Sequence, residues 1–389
     1  MINFENTEIA FKSKSNKDLK RAYYLFKIIS SFTIVKVSSA LTKVALFFRI
    51  PINRPVKATI FKQFCGGETI IECDKTIKNL SEHGIGTILD YSVEGKESED
   101  DFETTTEVII DTIRKSKEEA NIPFAVFKIS GICRFEILEK ASKNNNDSKI
   151  KEEVNNVKER INRICEAAFK VKTSIFIDAE ESWIQPAIDD WTNEMILKYN
   201  KEYPIVYNTL QMYRHDRLNY LKEMYDLAKE NNVIYGVKLV RGAYMEKERA
   251  RAQQKGYKSP IQADKNSTDR DYNLALEFIV KNMNYFALCA GTHNEKSSLY
   301  LTELLASNNV QPDNDRFYFS QLLGMSDHIS FNLAFNKYKV AKYVPFGPVR
   351  EVIPYLLRRA QENTSVAGQT SRELSLIKKE LDRRKKLNS

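Results

Sequence analysis

Eight short runs of β-branched and aromatic residues recur along the chain, and each is followed by a stretch long and polar enough to hold a helix. They are "IGTILDYSVEG" (85–95), "FAVFKISG" (124–131), "SIFIDAE" (174–180), "IVYNTLQ" (205–211), "IYGVKLVRG" (234–242), "YFALCAGTHN" (285–294), "RFYFSQLLG" (316–324) and "KYVPFGP" (342–348). This alternation is what a parallel sheet covered by helices requires, since parallel neighbours are joined only by long crossovers. Closure into a (β/α)8 barrel is the expected solution. The doubly wound rival would carry a Gly-rich first turn, and neither GxGxxG nor GxxxxGK[ST] occurs in the sequence.

The segment ahead of these runs, 19–50, reads as one or two amphipathic helices ending before Pro51 and Pro55, an arm or cap packed on the main body. A Lys-bearing, Phe-rich helix also suits a lipid headgroup region, so peripheral membrane contact is the alternative use. Lys27, Lys36, Lys43 and Arg49 interrupt the segment, which leaves no run of the ~18 apolar residues that a spanning helix needs. The opening "MINFENTEIAFKSKSNK" is polar and does not read as a signal peptide. The expected divisions are a helical arm at 1–83, the barrel at 84–368 and a basic helix or tail at 369–389. The closing "KKELDRRKKLNS" reads as solvated charge.

The net charge of +8 is the balance of 60 basic and 52 acidic residues, a mixed surface that does not call for nucleic acid. Five cysteines without a CxxC pair favour reduced thiols and argue against a zinc cluster. Together these features place the chain in a cytoplasm, at most peripheral at the inner face of a membrane.

In a barrel of this kind the chemistry gathers at the C-terminal ends of the strands. Those ends supply Lys128, then Asp178, Glu180 and Glu181, Gln211, Lys238 with Arg241, Thr292 with His293 and Asn294, Ser320 with Gln321, and Tyr343. Loops are polar anyway, so one such residue per strand means little. Lys128 and Lys238 differ: each is flanked by apolar residues and would be costly to bury without an anion. His293 has no second His or Cys at ligand spacing, which argues against a metal site. "IDAEE" leaves open a carboxylate pair for hydrolysis or for a metal-dependent lyase. In "REVIPYLLRRAQEN" (350–363), Ile353, Leu356, Leu357 and Ala360 form a buried stripe, with Tyr355, Arg358, Arg359 and Glu362 on the other face. That second face is either solvated, with an ordinary i, i+4 pair, or an arginine fork for a carboxylate.

Nine stretches in register, "LDYSVEG", "FKISG", "IDAEE", "YNTLQMY", "VKLVRGAYMEKERA", "THN", "FYFSQLLGM", "YVPFGP" and "PYLLRRAQEN", resemble the proline dehydrogenase family from about residue 85 to 368. The resemblance implies a distorted (β/α)8 barrel with FAD bound non-covalently at the strand ends. It implies oxidation of L-proline to Δ1-pyrroline-5-carboxylate, with hydride passing to flavin N5 and electrons then passing to a quinone. By similarity Lys128, Arg358 and Arg359 contact the substrate carboxylate, Glu362 holds the arginine fork, and Tyr244, Tyr343 and Tyr355 wall the ring. Asp178 sits beside the substrate, while Ala179, Gln211, Arg241, Gly242, Ala243, Thr292 and His293 hold FAD, with Gln321 placed in the same set. Lys238 is the cation near the flavin, in the Lys-then-Arg order of mitochondrial members. Hydroxyproline is the rival substrate, against which the bulk of Tyr343 counts. The chain ends soon after the arginine helix, so the expected product is released rather than oxidised onward.

Overall fold

The structure, a computed structural model, describes residues 2–48, 50–93, 97–143, 147–365 and 369–387, without the side chains of 43, 46 and 362–371. Helices α1 (Asn16–Ile29) and α2 (Phe32–Phe47) come first. Then follow β1 (Ile85–Tyr91), α3 (Glu99–Glu118), β2 (Phe124–Phe127), α4 (Ser148–Val171), β3 (Ser174–Ile177), α5 (Gln185–Tyr199), β4 (Val206–Gln211) and α6 (Arg217–Asn231). After these come β5 (Tyr235–Val240), α7 (Met245–Lys255), α8 (Lys265–Lys281), β6 (Phe286–Gly291), α9 (Glu295–Ser307), β7 (Phe317–Leu322), α10 (Asp327–Phe335), β8 (Val340–Phe346), α11 (Val349–Ser365) and α12 (Gln369–Leu387). The strands are hydrogen-bonded in sequence order and close into a barrel. All eight expected strands form, and all but β4, which runs to Gln211, stop short of the end of their runs; residues 94 and 95 of the first run lie outside the described residues.

By packing, the chain divides into two compact units, one of Met1–Glu94 with Gln321–Ser389 and one of Gly95–Ser320. In the second unit, side chains alternate along each strand, so residues two apart share a face. Phe124 stacks on Phe176 at 4.3 Å, with Tyr207 and Tyr318 edge-on to Phe124 at 5.5 and 4.8 Å. Two residues further along β3 and β5 from this aromatic layer come Asp178 and Lys238. Register aligns Thr209, Lys238 and Cys289 across β4, β5 and β6. A polar layer thus lies on an apolar one. The strands end on capped helices: Asp264 accepts from the Ser267 N–H at 2.7 Å and Asn294 accepts from the Ser297 N–H at 3.1 Å.

In the first unit, Phe26 and Leu19 of α1 share an apolar cluster with Phe64, Val352 and Leu356 of α11, and Leu376 and Ile377 of α12. Because α1, α2 and α12 all pack against α11, more than one of its faces is covered. Tyr355, expected opposite the buried stripe, is therefore buried at 6% exposure within that cluster, whereas Leu357 is half-buried. The basic C-terminal segment is likewise more than solvated charge. Arg384 pairs with Glu380 at 2.7 Å and donates to the carbonyls of Phe11 and Lys14 at 2.9 and 2.8 Å. The apolar face of α12 holds the segment down, and the arginine then meets backbone carbonyls of the N-terminal segment.

Lys342 of β8 is fully buried. Its ammonium pairs with Asp327 at 2.8 Å and donates to the Met325 and Leu322 carbonyls at 2.5 and 3.3 Å. Burial pushes the Asp327 carboxyl up, but Lys342 and Lys14 outweigh it and hold the group below its ordinary value. Breaking such a pair from one side is far costlier than removing both charges. Lys342→Met is expected to destabilise the protein by about 3–5 kcal/mol, read as a lower urea midpoint, and the added Asp327→Asn change should recover much of the loss.

Candidate active site

β3 ends at Ile177, so Asp178 opens a loop while its own N–H still bonds the Phe127 carbonyl at 2.9 Å. Lys238 lies inside β5, two residues before the strand's end, and its ammonium forms an ion pair with the Asp178 carboxylate. The Lys238 side chain is 6% exposed and that of Asp178 is 16% exposed, and the ammonium sits 5.3 Å from the centre of the Phe176 ring. A lysine inside an apolar strand thus has its anion at the end of the next strand but one. Sequence reasoning placed both residues at the site, and the structure brings them together.

Arg241, the first residue after β5, donates through Nε to Asp269 at 2.6 Å, through Nη1 to Thr292 at 2.6 Å and through Nη2 to Ser297 at 2.9 Å. Its guanidinium also lies 4.4 Å from the centre of the Tyr272 ring. This arginine therefore binds the loops after β5 and β6 to helices α8 and α9. Thr292 in turn accepts from the Asn294 N–H at 3.1 Å. Gly242 has φ +137°, and a Cβ there would meet the Tyr213 ring at 2.5 Å, so the turn that follows Arg241 needs glycine.

Gln211 at the end of β4 joins two neighbouring loops, donating to the Glu180 carbonyl at 2.7 Å and accepting from the Ala243 N–H at 3.2 Å. Ala179 is buried beside this bridge, while Tyr244 and His293 are half-buried in their loops. Lys128, also half-buried, starts the loop whose Ser130 N–H and hydroxyl both bond the Glu180 carboxyl, the N–H at 3.0 Å. Glu180 is the residue the sequence reading undervalued. "IDAEE" marked it as one of two adjacent carboxylates, but the pairing is with Ser130 for Glu180 and with Lys247 for Glu181. Glu248 of α7 adds a third tether, accepting from Ser182 N–H and hydroxyl at 2.6 Å each.

The remaining expected residues belong to the first unit. Gln321 is buried and accepts from the Ser330 hydroxyl at 2.7 Å, and the Tyr343 carbonyl accepts from the Leu323 N–H at 2.8 Å. Arg358 and Arg359 are half-buried on α11, with the Arg359 guanidinium 5.2 Å from the centre of the Tyr355 ring. The side chain of Glu362 lies outside the described residues. Lys342 and its Asp327 partner were missed altogether, because nothing local marks a lysine in "KYVPFGP" as buried.

A closed parallel barrel that carries a buried lysine–aspartate pair and a set of tethered loops at its strand ends is the framework of a (β/α)8 barrel enzyme. A family model described as proline dehydrogenase matches residues 73–372. The mitochondrial proline dehydrogenase 1 of Dictyostelium discoideum is 34% identical, the match covering 97% of this chain and 74% of that protein. The hydroxyproline dehydrogenase of Xenopus laevis is 31% identical over 96% of this chain and 88% of its own. The solved structure of proline utilization A from Bdellovibrio bacteriovorus inactivated by N-propargylglycine shares the fold, with a TM-score of 0.74 at 19% identity over 92% of this chain and 38% of that one. The chain belongs to the proline dehydrogenase family, and it is an enzyme that oxidises proline in proline catabolism. Membership implies a flavin-dependent enzyme.

Burial pushes the Glu180 carboxyl up to about 7, against the Ser130 hydrogen bonds and the Lys128 charge, which lower it. Because the folded value lies above the ordinary 4.5, the stability this group contributes is complete below pH 4.5 and is lost as pH rises towards 7. The loss should be roughly 3 kcal/mol. Urea midpoints measured across that interval should fall more in the native protein than in Glu180→Gln, which has no such proton to lose.

Proposed function

We propose that the chain oxidises L-proline to Δ1-pyrroline-5-carboxylate with FAD as its cofactor, and that the electrons leave to a quinone. The buried Lys238–Asp178 pair carries this proposal. When bound, FAD supplies the two-electron acceptor for the hydride. The residues fit such a group chemically. Lys238 is a fixed cation in a water-poor setting, suited to negative charge that develops on the acceptor, and Asp178 holds its ammonium in place. Gly242 and Ala243 are exposed and nearly without side chains, which leaves their backbone open to close approach by a bulky phosphate-bearing molecule. Gln211 keeps that backbone in position relative to the β3 loop.

Arg241 has an indirect part in this assignment, since Asp269, Thr292 and Ser297 engage its guanidinium. It positions the Gly242–Ala243 turn and the Thr292–His293 loop. The substrate carboxylate is assigned to Lys128, and to Arg358 and Arg359, on the resemblance of their segments; a fixed cation aligns the ring for transfer by holding its far end. Tyr244, Tyr343 and Tyr355 are assigned to the ring itself, with Glu362 assigned to support the arginines.

The test is spectroscopic. The purified protein should be yellow, and anaerobic L-proline should bleach it, with trans-4-hydroxy-L-proline slower by about tenfold or more, as a pocket that leaves a hydroxyl unpartnered would dictate. A colourless protein that takes up no added FAD overturns the cofactor assignment. Faster bleaching by hydroxyproline reverses the substrate assignment.

A further inference from the structure

Helix α2 is turned the wrong way round for a soluble helix. Among its described side chains the buried ones are Val35 and Ser39. On the nearly opposite side, Ile34, Val37, Leu41 and Val44 repeat at i, i+3, i+7 and i+10, the spacing of one apolar stripe, and are 48%, 53%, 64% and 51% exposed. The stripe ends in Phe47, 81% exposed. Helix α1 meets α2 at a bend of 90°, too sharp for a single span. Among the described residues no single helix is long and apolar enough to cross a membrane.

Along the chain, the charge of this segment has one sign. From Leu19 to Gly67 the sequence holds nine lysines or arginines and no aspartate or glutamate. Lys27, Lys36 and Lys62 within it are exposed. An apolar stripe in a purely cationic segment is complementary to a surface that is apolar beneath and anionic above, as an acidic bilayer is. A second copy of the chain fits worse, because two such segments facing each other across a dyad would oppose like charges.

We infer that α1 and α2 form an interfacial anchor, with the Val37–Leu41–Val44 stripe seated among the lipids of an anionic bilayer and Lys27 and Lys36 at its headgroups. The anchor deepens the proposed transfer to a quinone by giving the enzyme a way to reside where a lipid-soluble acceptor is dissolved. Flotation, which decides it, needs neither flavin nor turnover, so the two proposals fail separately.

The experiment is flotation of the full chain with phosphatidylcholine vesicles, with and without phosphatidylglycerol, alongside sedimentation without lipid. The native chain should float with the phosphatidylglycerol vesicles and release in high salt. V37E/L41E should partition about tenfold less or weaker still, with unchanged particle mass and unchanged proline-dependent reduction of a soluble dye. K27E/K36E, which leaves the stripe intact, should lose the preference for the acidic vesicles. Three outcomes overturn the inference: no flotation of the native chain at low salt, equal flotation of all three proteins, or a V37E/L41E change that halves the particle mass while leaving flotation untouched.

Discussion

An ammonium and a carboxylate buried inside a barrel must find each other, or the barrel carries an uncompensated charge. The pairing of Lys238 with Asp178 is the constraint on which the rest of the candidate site depends. It requires β3 and β5 to present these residues at one level and on one face, which the strand registers do. It also requires an apolar base, which the Phe124, Phe176, Tyr207 and Tyr318 layer supplies. A charge pair on that base is shielded from water on one side. Its energetic yield for folding is small, since desolvation offsets the attraction; its value is a cation whose position is already fixed.

The loops around the pair are built on the same logic of mutual satisfaction. Glu180 holds the Lys128 loop through Ser130, Gln211 ties the β3 loop to Ala243, and Arg241 joins the loops after β5 and β6 to α8 and α9. Each tether runs from a residue at or just beyond a strand end to a neighbouring loop or helix. Loops fastened in this way lose little further freedom when a ligand arrives, which is where preorganisation helps binding. Lys128 opens the loop that this Ser130 tether fixes, and its charge acts on the Glu180 carboxyl.

Much of this was legible in the residues themselves. Eight β-runs separated by long polar segments became eight strands, because that alternation admits few other topologies. Lys128 and Lys238 stood out because a cation amid apolar neighbours demands a partner. What could not be read was which partner. The contact between Glu180 and Ser130 spans 50 positions, and that between Lys238 and Asp178 spans 60. Local pattern is blind to both. The face of α11 was misjudged at Tyr355 because a periodic stripe identifies one buried side, whereas packing by α1, α2 and α12 covers more than one. Lys342 escaped notice for a related reason: its anion comes from α10, across a turn that no spacing rule anticipates.

The central claim is that Lys238 acts on the chemistry through its charge and not on the fold alone. Removing Lys238 by itself would strand the Asp178 carboxylate, so the informative protein is the double variant Lys238→Met/Asp178→Asn, in which no buried charge is orphaned. Its anaerobic reduction by L-proline, followed by stopped flow in the FAD-loaded enzyme, should be slower by about 10²–10³-fold while its thermal midpoint stays close to the native one. Reduction at the native rate would contradict the account and leave Lys238 as a structural lysine.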